Sequence, residues 1–197
     1  MNIHHITPKT IFAALAVMAV PAAAFAAPAL SGSSTAPRTA TVAAASCPSG
    51  WGSLPEANKR MTQAPVTNVR TGRHACYDRL VVDIRGRAPG YDVRYVNAVY
   101  TDGAGHLVPL RGGAKLQIVV RAPAYNSAGK ATYSPKNGRE LTSVAGYSTF
   151  RQVAFAGTFE GQTTIGLGVR ARLPFRVYTL AGPGSNTRLV IDVAHHW

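Results

Sequence analysis

The sequence predicts an all-β fold, a sandwich or barrel of short strands. Apolar residues recur at every second position through most of the chain after Tyr77, and Gly and Pro turns separate the runs. No stretch holds a helical period for three turns. With 197 residues, 46% of them hydrophobic, the chain has material for one domain with a core, plus tails.

The strands follow in order. Leu80, Val82 and Ile84 alternate with Arg79, Asp83 and Arg85, and Val93, Tyr95 and Val99 with Asp92, Arg94 and Ala98. Leu116, Ile118 and Val120 alternate with Lys115, Gln117 and Arg121. Thr163, Ile165, Leu167 and Val169 alternate with Thr164, Gly166, Gly168 and Arg170. Phe175 and Val177 alternate with Arg176 and Tyr178, and Leu189, Ile191 and Val193 with Arg188 and Asp192. This is the pattern of half-buried strands. The segment 150–159 reads as a further strand. Turn chemistry separates them, as in Ala88-Pro89-Gly90, Asp102-Gly103, Arg111-Gly112-Gly113, Asn137-Gly138 and Gly182-Pro183-Gly184. The longest irregular piece is 123–146.

Ahead of the strands lies an address. A polar start is followed by the apolar run 11–20, then Pro21 and Ala24-Phe25-Ala26. That order predicts a secretory signal peptide over 1–26. Residues 27–46 are mostly Ala, Ser, Thr and Pro and read as a flexible linker to a domain at 47–197. In an exported chain the only two cysteines, Cys47 and Cys76, point to one disulfide. It would close a loop poor in core formers, where Val66 and Val69 are scattered among Pro, Gly, Asn and Thr.

One internal echo stands out. Arg79-Leu80-Val81-Val82-Asp83-Ile84 parallels Arg188-Leu189-Val190-Ile191-Asp192-Val193. Either two good strand sequences converge, or two related strands open and close a sandwich of two similar sheets.

The ending, Phe175 to Leu180, then Pro183 and Arg188-Leu189-Val190-Ile191-Asp192, resembles the AMIN family. The likeness is closer to the AMIN-like group of exported actinobacterial proteins. There it takes in Cys47-Pro48, Gly50-Trp51-Gly52, Arg70 to Arg79, Pro89 to Val93 and Phe159-Glu160-Gly161. The resemblance implies a β-sandwich of two small sheets. It also implies a non-catalytic module of the cell envelope, because AMIN domains localise cell-wall amidases and secretins. No amidase or secretin domain is expected beside it.

The residues themselves offer little chemistry. There is no G-x-S-x-G and no H-E-x-x-H, and no catalytic, metal or cofactor site is expected. His195 and His196 read as a frayed, exposed end. Asp83 and Asp192 would form a carboxylate pair if their strands met side by side, which is the route to a wall-active hydrolase. Each also follows an arginine by four residues, and cross-strand ion pairs are the better expectation.

Charge is the stronger lead. Against 8 acids stand 21 basic residues, for a net charge of +13; loss of Lys9 with the leader lowers it only to +12. Sixteen of the basic residues are arginines, whose planar fork suits carboxylates and phosphates. Arg85, Arg87, Arg94, Arg170, Arg172 and Arg176 flank or punctuate strands and are the candidate ligand-binding residues. The expected partner is a cell-wall polymer (peptidoglycan or an anionic glycopolymer) or an envelope protein. No specific nucleic acid, and no membrane span after leader removal, is expected. The expected location is outside the cell, at or near the wall. The competing expectation is a secreted interaction protein whose charge is incidental.

Overall fold

The structure is a computed structural model that describes residues 46–197. The predicted leader, and the predicted linker up to residue 45, lie outside them. Every regular element among the described residues is a strand. In chain order these are β1 (Glu56–Asn58), β2 (Val66–Arg73), β3 (Tyr77–Ile84), β4 (Tyr91–Val96), β5 (Val99–Tyr100) and β6 (Leu107–Val108). They continue with β7 (Ala114–Val120), β8 (Phe150–Phe159), β9 (Gln162–Val169), β10 (Phe175–Ala181) and β11 (Thr187–Ala194). A five-stranded sheet has the order β1-β4-β7-β9-β8 and a four-stranded sheet the order β10-β11-β3-β2. Strands β5 and β6 form a separate ribbon. All named pairings are antiparallel.

The alternation decides which side chains meet. Leu80, Val82 and Ile84 of β3 and Leu189, Ile191 and Val193 of β11 face inward from the four-stranded sheet. They join Leu116, Ile118 and Val120 of β7 and Ile165 and Leu167 of β9 in one core. Each such side chain contributes about 1.5–3 kcal/mol by leaving water. Two sheets sharing one core make a β-sandwich, not a barrel.

Strand β2 is the long element that period two does not reveal. A bulge at Thr67 separates the pairs Val66↔Ile84 and Asn68↔Asp83. The extra residue lets Val66 and Val69, three positions apart, both point into the core.

Strand β9 also departs from the half-buried expectation: it is buried on both faces. The β5–β6 ribbon lies on its outer side, where Val99 and Val108 pack with Ala154 and Ala156 of β8. Gly166 and Gly168 permit that approach. A Cβ at Gly168 would lie 1.9 Å from the Arg111 carbonyl oxygen.

The echoed strands neither open nor close separate sheets. They are β3 and β11, neighbours in the middle of the four-stranded sheet. Their antiparallel register sets Arg79 opposite Asp192 and Asp83 opposite Arg188, with Val81 opposite Val190 between.

Loops close the two open sides of the sandwich. In the 123–146 segment, Gly138 accepts from Phe155 N–H and Leu141 donates to Val153 on the free edge of β8. The same segment reaches β2, where Thr132 Oγ1 donates to the Val66 carbonyl. On the opposite side the chain before β1 runs beside β10, with Phe175 N–H donating to the Gly52 carbonyl at 2.8 Å.

Cys47 and Cys76 are bonded, with Cα atoms 5.4 Å apart. The bridge ties the start of the described chain to the residue before β3. Its closed loop spans a sequence separation of 29, for which the chain-entropy model gives about 3–4 kcal/mol. The double substitution C47A/C76A is therefore expected to lower the urea-unfolding free energy by about that amount. Wild-type protein in reductant should show the same loss.

Candidate functional site

Most of the carboxylates are committed inside the fold. Asp78 is buried and accepts the Thr149 and Phe150 backbone N–H groups at 2.6 and 3.0 Å, so β3 is tied to the start of β8. Its other oxygen faces His195 Nε2 at 3.2 Å. Asp83 pairs with Arg70 at 2.9 Å, Asp92 with Arg94 at 3.5 Å, and Glu140 with Arg111. Glu56 accepts the Val177 N–H of the β10 edge at 3.1 Å. Burial pushes the Glu56 carboxyl above its ordinary value of 4.5, and the Val177 hydrogen bond opposes that in part. Several arginines serve as ties to backbone carbonyls. Arg73 donates to Gly146, Arg170 to His195, Arg172 to Ser53 and Arg188 to Ala181.

Two cation clusters stand out on the surface of the described residues. The first covers one end of the outer face of the four-stranded sheet, where the register aligns Arg176, Asp192 and Arg79 in one row. The Asp192 side chain has no exposed surface. It accepts Arg79 Nε at 2.6 Å and Nη2 at 2.9 Å, Arg176 Nε at 3.0 Å and Nη2 at 2.9 Å, and Tyr178 Oη at 3.2 Å. Arg79 Nη2 also donates to the Tyr77 and Tyr178 hydroxyl oxygens. Hydrogen bonding to Asp192 raises the Arg79 guanidinium above its ordinary range. Burial raises the Tyr178 phenol, and the Asp192 charge adds to it.

Aromatic rings wall this row. The Arg176 Cζ lies 4.4 Å from the Trp51 ring centroid, 4.9 Å from Tyr178 and 5.7 Å from Tyr77. Trp51 and Tyr77 centroids are 5.5 Å apart, and His74 stacks on Tyr77 at 4.5 Å. The Gly52–Phe175 bridge and the nearby disulfide hold Trp51 in place.

The second cluster is a groove of about 720 Å³ lined by Arg60, Met61, Thr62, Gln63, Gly86 and Arg87, among others. It forms where 59–65 lies against 85–90. Gly90 N–H donates to the Arg60 carbonyl at 2.7 Å and Arg85 N–H to the Pro65 carbonyl at 2.9 Å. A Cβ at Gly90 would sit 2.2 Å from the Asn58 oxygen and 2.3 Å from that of Arg60, so only glycine allows this approach. Arg60 and Arg87 are exposed, and Lys59 and Arg85, also exposed, adjoin them in the chain. No acid lines the groove.

The structure distributes the six arginines singled out from sequence. Arg85 and Arg87 belong to the groove and Arg176 to the aromatic row. Arg94 is bound to Asp92 on β4. Arg170 secures the C-terminal turn, and Arg172 lies over the Tyr95 ring at 5.3 Å. Lys59 and Arg60 escaped notice although they form a dibasic pair in a turn-rich stretch. Trp51, Tyr77, Arg79 and Tyr178 escaped because only register brings them to Arg176.

One expectation holds and one needs correction. Asp83 and Asp192 do belong to paired strands, but the antiparallel register sends them to opposite ends, so they form no carboxylate pair. Their partners are arginines, Arg70 and Arg79. His195 is not frayed: it is buried, its N–H donates to the Cys76 carbonyl, and its ring meets Asp78. Among the described residues, no three His, Cys, Asp or Glu side chains are grouped to hold a metal ion. No helix there is long and apolar enough to cross a membrane.

A family model described as the AMIN-like domain matches residues 64–195. The chain belongs to the AMIN-like family. No curated protein and no solved structure matches it. The AMIN-like match takes in β2 to β11 and both members of the Arg79–Asp192 pair. It starts downstream of Trp51, Lys59 and Arg60, although the sequence likeness begins at Cys47. Family membership points to a binding module related to the cell wall rather than to a catalyst. With the disulfide, it also points to a location outside the cytoplasm.

The two register-related acids should respond differently to neutralisation. Asp192→Asn strands two guanidiniums beside a buried amide and is expected to cost about 3–5 kcal/mol in urea unfolding. Asp83→Asn breaks a pair whose Arg70 side chain is 48% exposed, and less than about 1 kcal/mol is expected.

Glu56 supplies a pH signature. Its folded value is raised, so its contribution is fully present below the ordinary carboxylate value. That contribution is lost as pH rises through the raised one. Glu56→Gln keeps an acceptor for Val177 N–H and removes the charge. Over that pH window, wild-type unfolding free energy should fall relative to E56Q, measured by urea titration at each pH.

Proposed function

We propose that this protein is an exported, non-catalytic binding module of the cell envelope that holds an anionic cell-wall polymer against its basic surface. The observation that carries the reading is the acid-free groove lined by Arg60 and Arg87 and flanked by Lys59 and Arg85. Six of the eight acids are occupied by arginine, histidine or backbone partners, and none of the ion pairs among the described residues involves Lys59, Arg60, Arg85 or Arg87. A groove of about 720 Å³ with basic residues and no acid in its lining suits a polyanion. Its ligand bears regularly spaced negative charges, and attraction at this surface weakens as salt shortens the screening length to about 3 Å at 1 M.

AMIN-like membership supports the wall as the setting, and the Cys47–Cys76 bond supports an oxidising compartment. The separation of Asp83 from Asp192 removes the carboxylate pair on which a hydrolase reading rested.

Pelleting with purified cell walls tests the proposal. The protein should sediment with walls at low salt and stay in the supernatant at about 1 M salt. The double substitution R60E/R87E, which leaves the core and the Asp192 cluster untouched, should weaken sedimentation by about tenfold or more. Failure to sediment at low salt would remove the reading.

A further inference from the structure

The aromatic row raises a separate question, because its guanidiniums are held more firmly than a surface ion pair requires. A guanidinium has two flat faces and two edges that offer paired N–H groups. At Arg176, the Nε–Nη2 edge is taken by Asp192. Rings of Trp51 and Tyr178 lie within 4.9 Å of its Cζ. What remains is the Nη1 side, which donates to no acceptor among the described residues. The side chain is still 40% exposed. Arg79 repeats the arrangement on the other side of Asp192, with Nε and Nη2 engaged and Nη1 unclaimed.

Charge and rigidity point the same way. Two guanidiniums share one carboxylate, so the cluster keeps one positive charge. The usual entropic penalty of ordering a long arginine is already met by Asp192 and the rings, so an incoming anion gains nearly its full interaction. Around the open cation stand Trp51, Tyr77 and Tyr178, each partly exposed, with His74 stacked outside Tyr77. Such rings offer apolar faces with polar tips. A ligand that used both features would carry a carboxylate on a ring with an apolar C–H face.

We infer that the Arg176 cluster binds an acidic sugar. The carboxylate takes the unclaimed Nη1 side of Arg176, and the pyranose ring packs on the aromatic walls. The site is distinct from the groove and does not rest on it. The disulfide gains a second role here, since it secures the segment that presents Trp51. A simple phosphate would satisfy the cation and ignore the rings, and a neutral sugar would do the reverse.

The full chain has two tryptophans, so W197F leaves Trp51 as the sole reporter. In that background, Trp51 fluorescence is titrated with oligogalacturonate, with its methyl ester and with inorganic phosphate. The acid form should give a saturable change. The ester, which keeps the ring and loses the charge, should bind about tenfold more weakly or worse, and phosphate likewise. Arg176→Lys keeps a cation and loses the planar fork, and it should weaken oligogalacturonate about tenfold while thermal unfolding stays cooperative. No response to oligogalacturonate would overturn the site, and so would equal affinity for acid and ester. Phosphate binding as tightly as the acid sugar would overturn the sugar assignment. The titration contains no cell wall, so its failure leaves wall pelleting standing, and failed pelleting leaves the titration standing.

Discussion

Asp192 sits without solvent on the outer face of a sheet, between arginines of the two neighbouring strands. A desolvated carboxylate is tolerable only while it is paired and hydrogen-bonded, so its five contacts pin the mutual register of β10, β11 and β3. A slip of one residue would point Asp192 into the core and send Ile191 and Val193 outward. The same register that satisfies the charge therefore also assembles the apolar half of the sandwich that these strands supply. It carries Tyr77 and Tyr178 to either side of the guanidiniums, and Trp51 completes the wall from a segment held by a disulfide.

Around that row the fold is finished by devices that leave cations at the surface. Small residues on β8 and β9 make a bed for the β5–β6 ribbon, so the five-stranded sheet is buried on both faces there. The long 123–146 segment covers the edges of β8 and β2, and the chain before β1 covers the edge of β10. Covered edges leave few free backbone groups for unwanted strand pairing. These closures consume carboxylates as internal acceptors and arginines as carbonyl ties. With 21 basic residues against 8 acids, the remainder is cationic, and it collects where turn-rich segments meet, as at Arg60 and Arg87.

An AMIN-like sandwich can in this way carry two unlike surfaces. The groove offers exposed side chains suited to long-range attraction of a polyanion. The aromatic row offers a fixed cation with directional donors, suited to recognising one group at close range. Attraction by the first and selection by the second would let the protein settle on a polymer by charge and then read its chemistry.

Local pattern was enough for the fold class and for most strands, because period two depends only on which residues are apolar. Strands β3, β4, β7, β8, β9, β10 and β11 were all legible, as was the pairing of Cys47 with Cys76, since two cysteines have one way to pair. Strand β2 was not, because a bulge at Thr67 breaks the period that reveals it. Nor was the burial of His195, which depends on Asp78 reaching it from the start of β3. The candidate sites lay mostly beyond local pattern. Arg85, Arg87 and Arg176 were visible as exposed cations, but the sequence places Arg176 97 positions from Arg79. Only antiparallel pairing through β11 makes them share one carboxylate, and the tie at Cys76 together with the Gly52–Phe175 bridge brings Trp51 over Arg176. Contacts between residues distant in sequence are set by register and loop closure, and neither is written in the composition of any single strand.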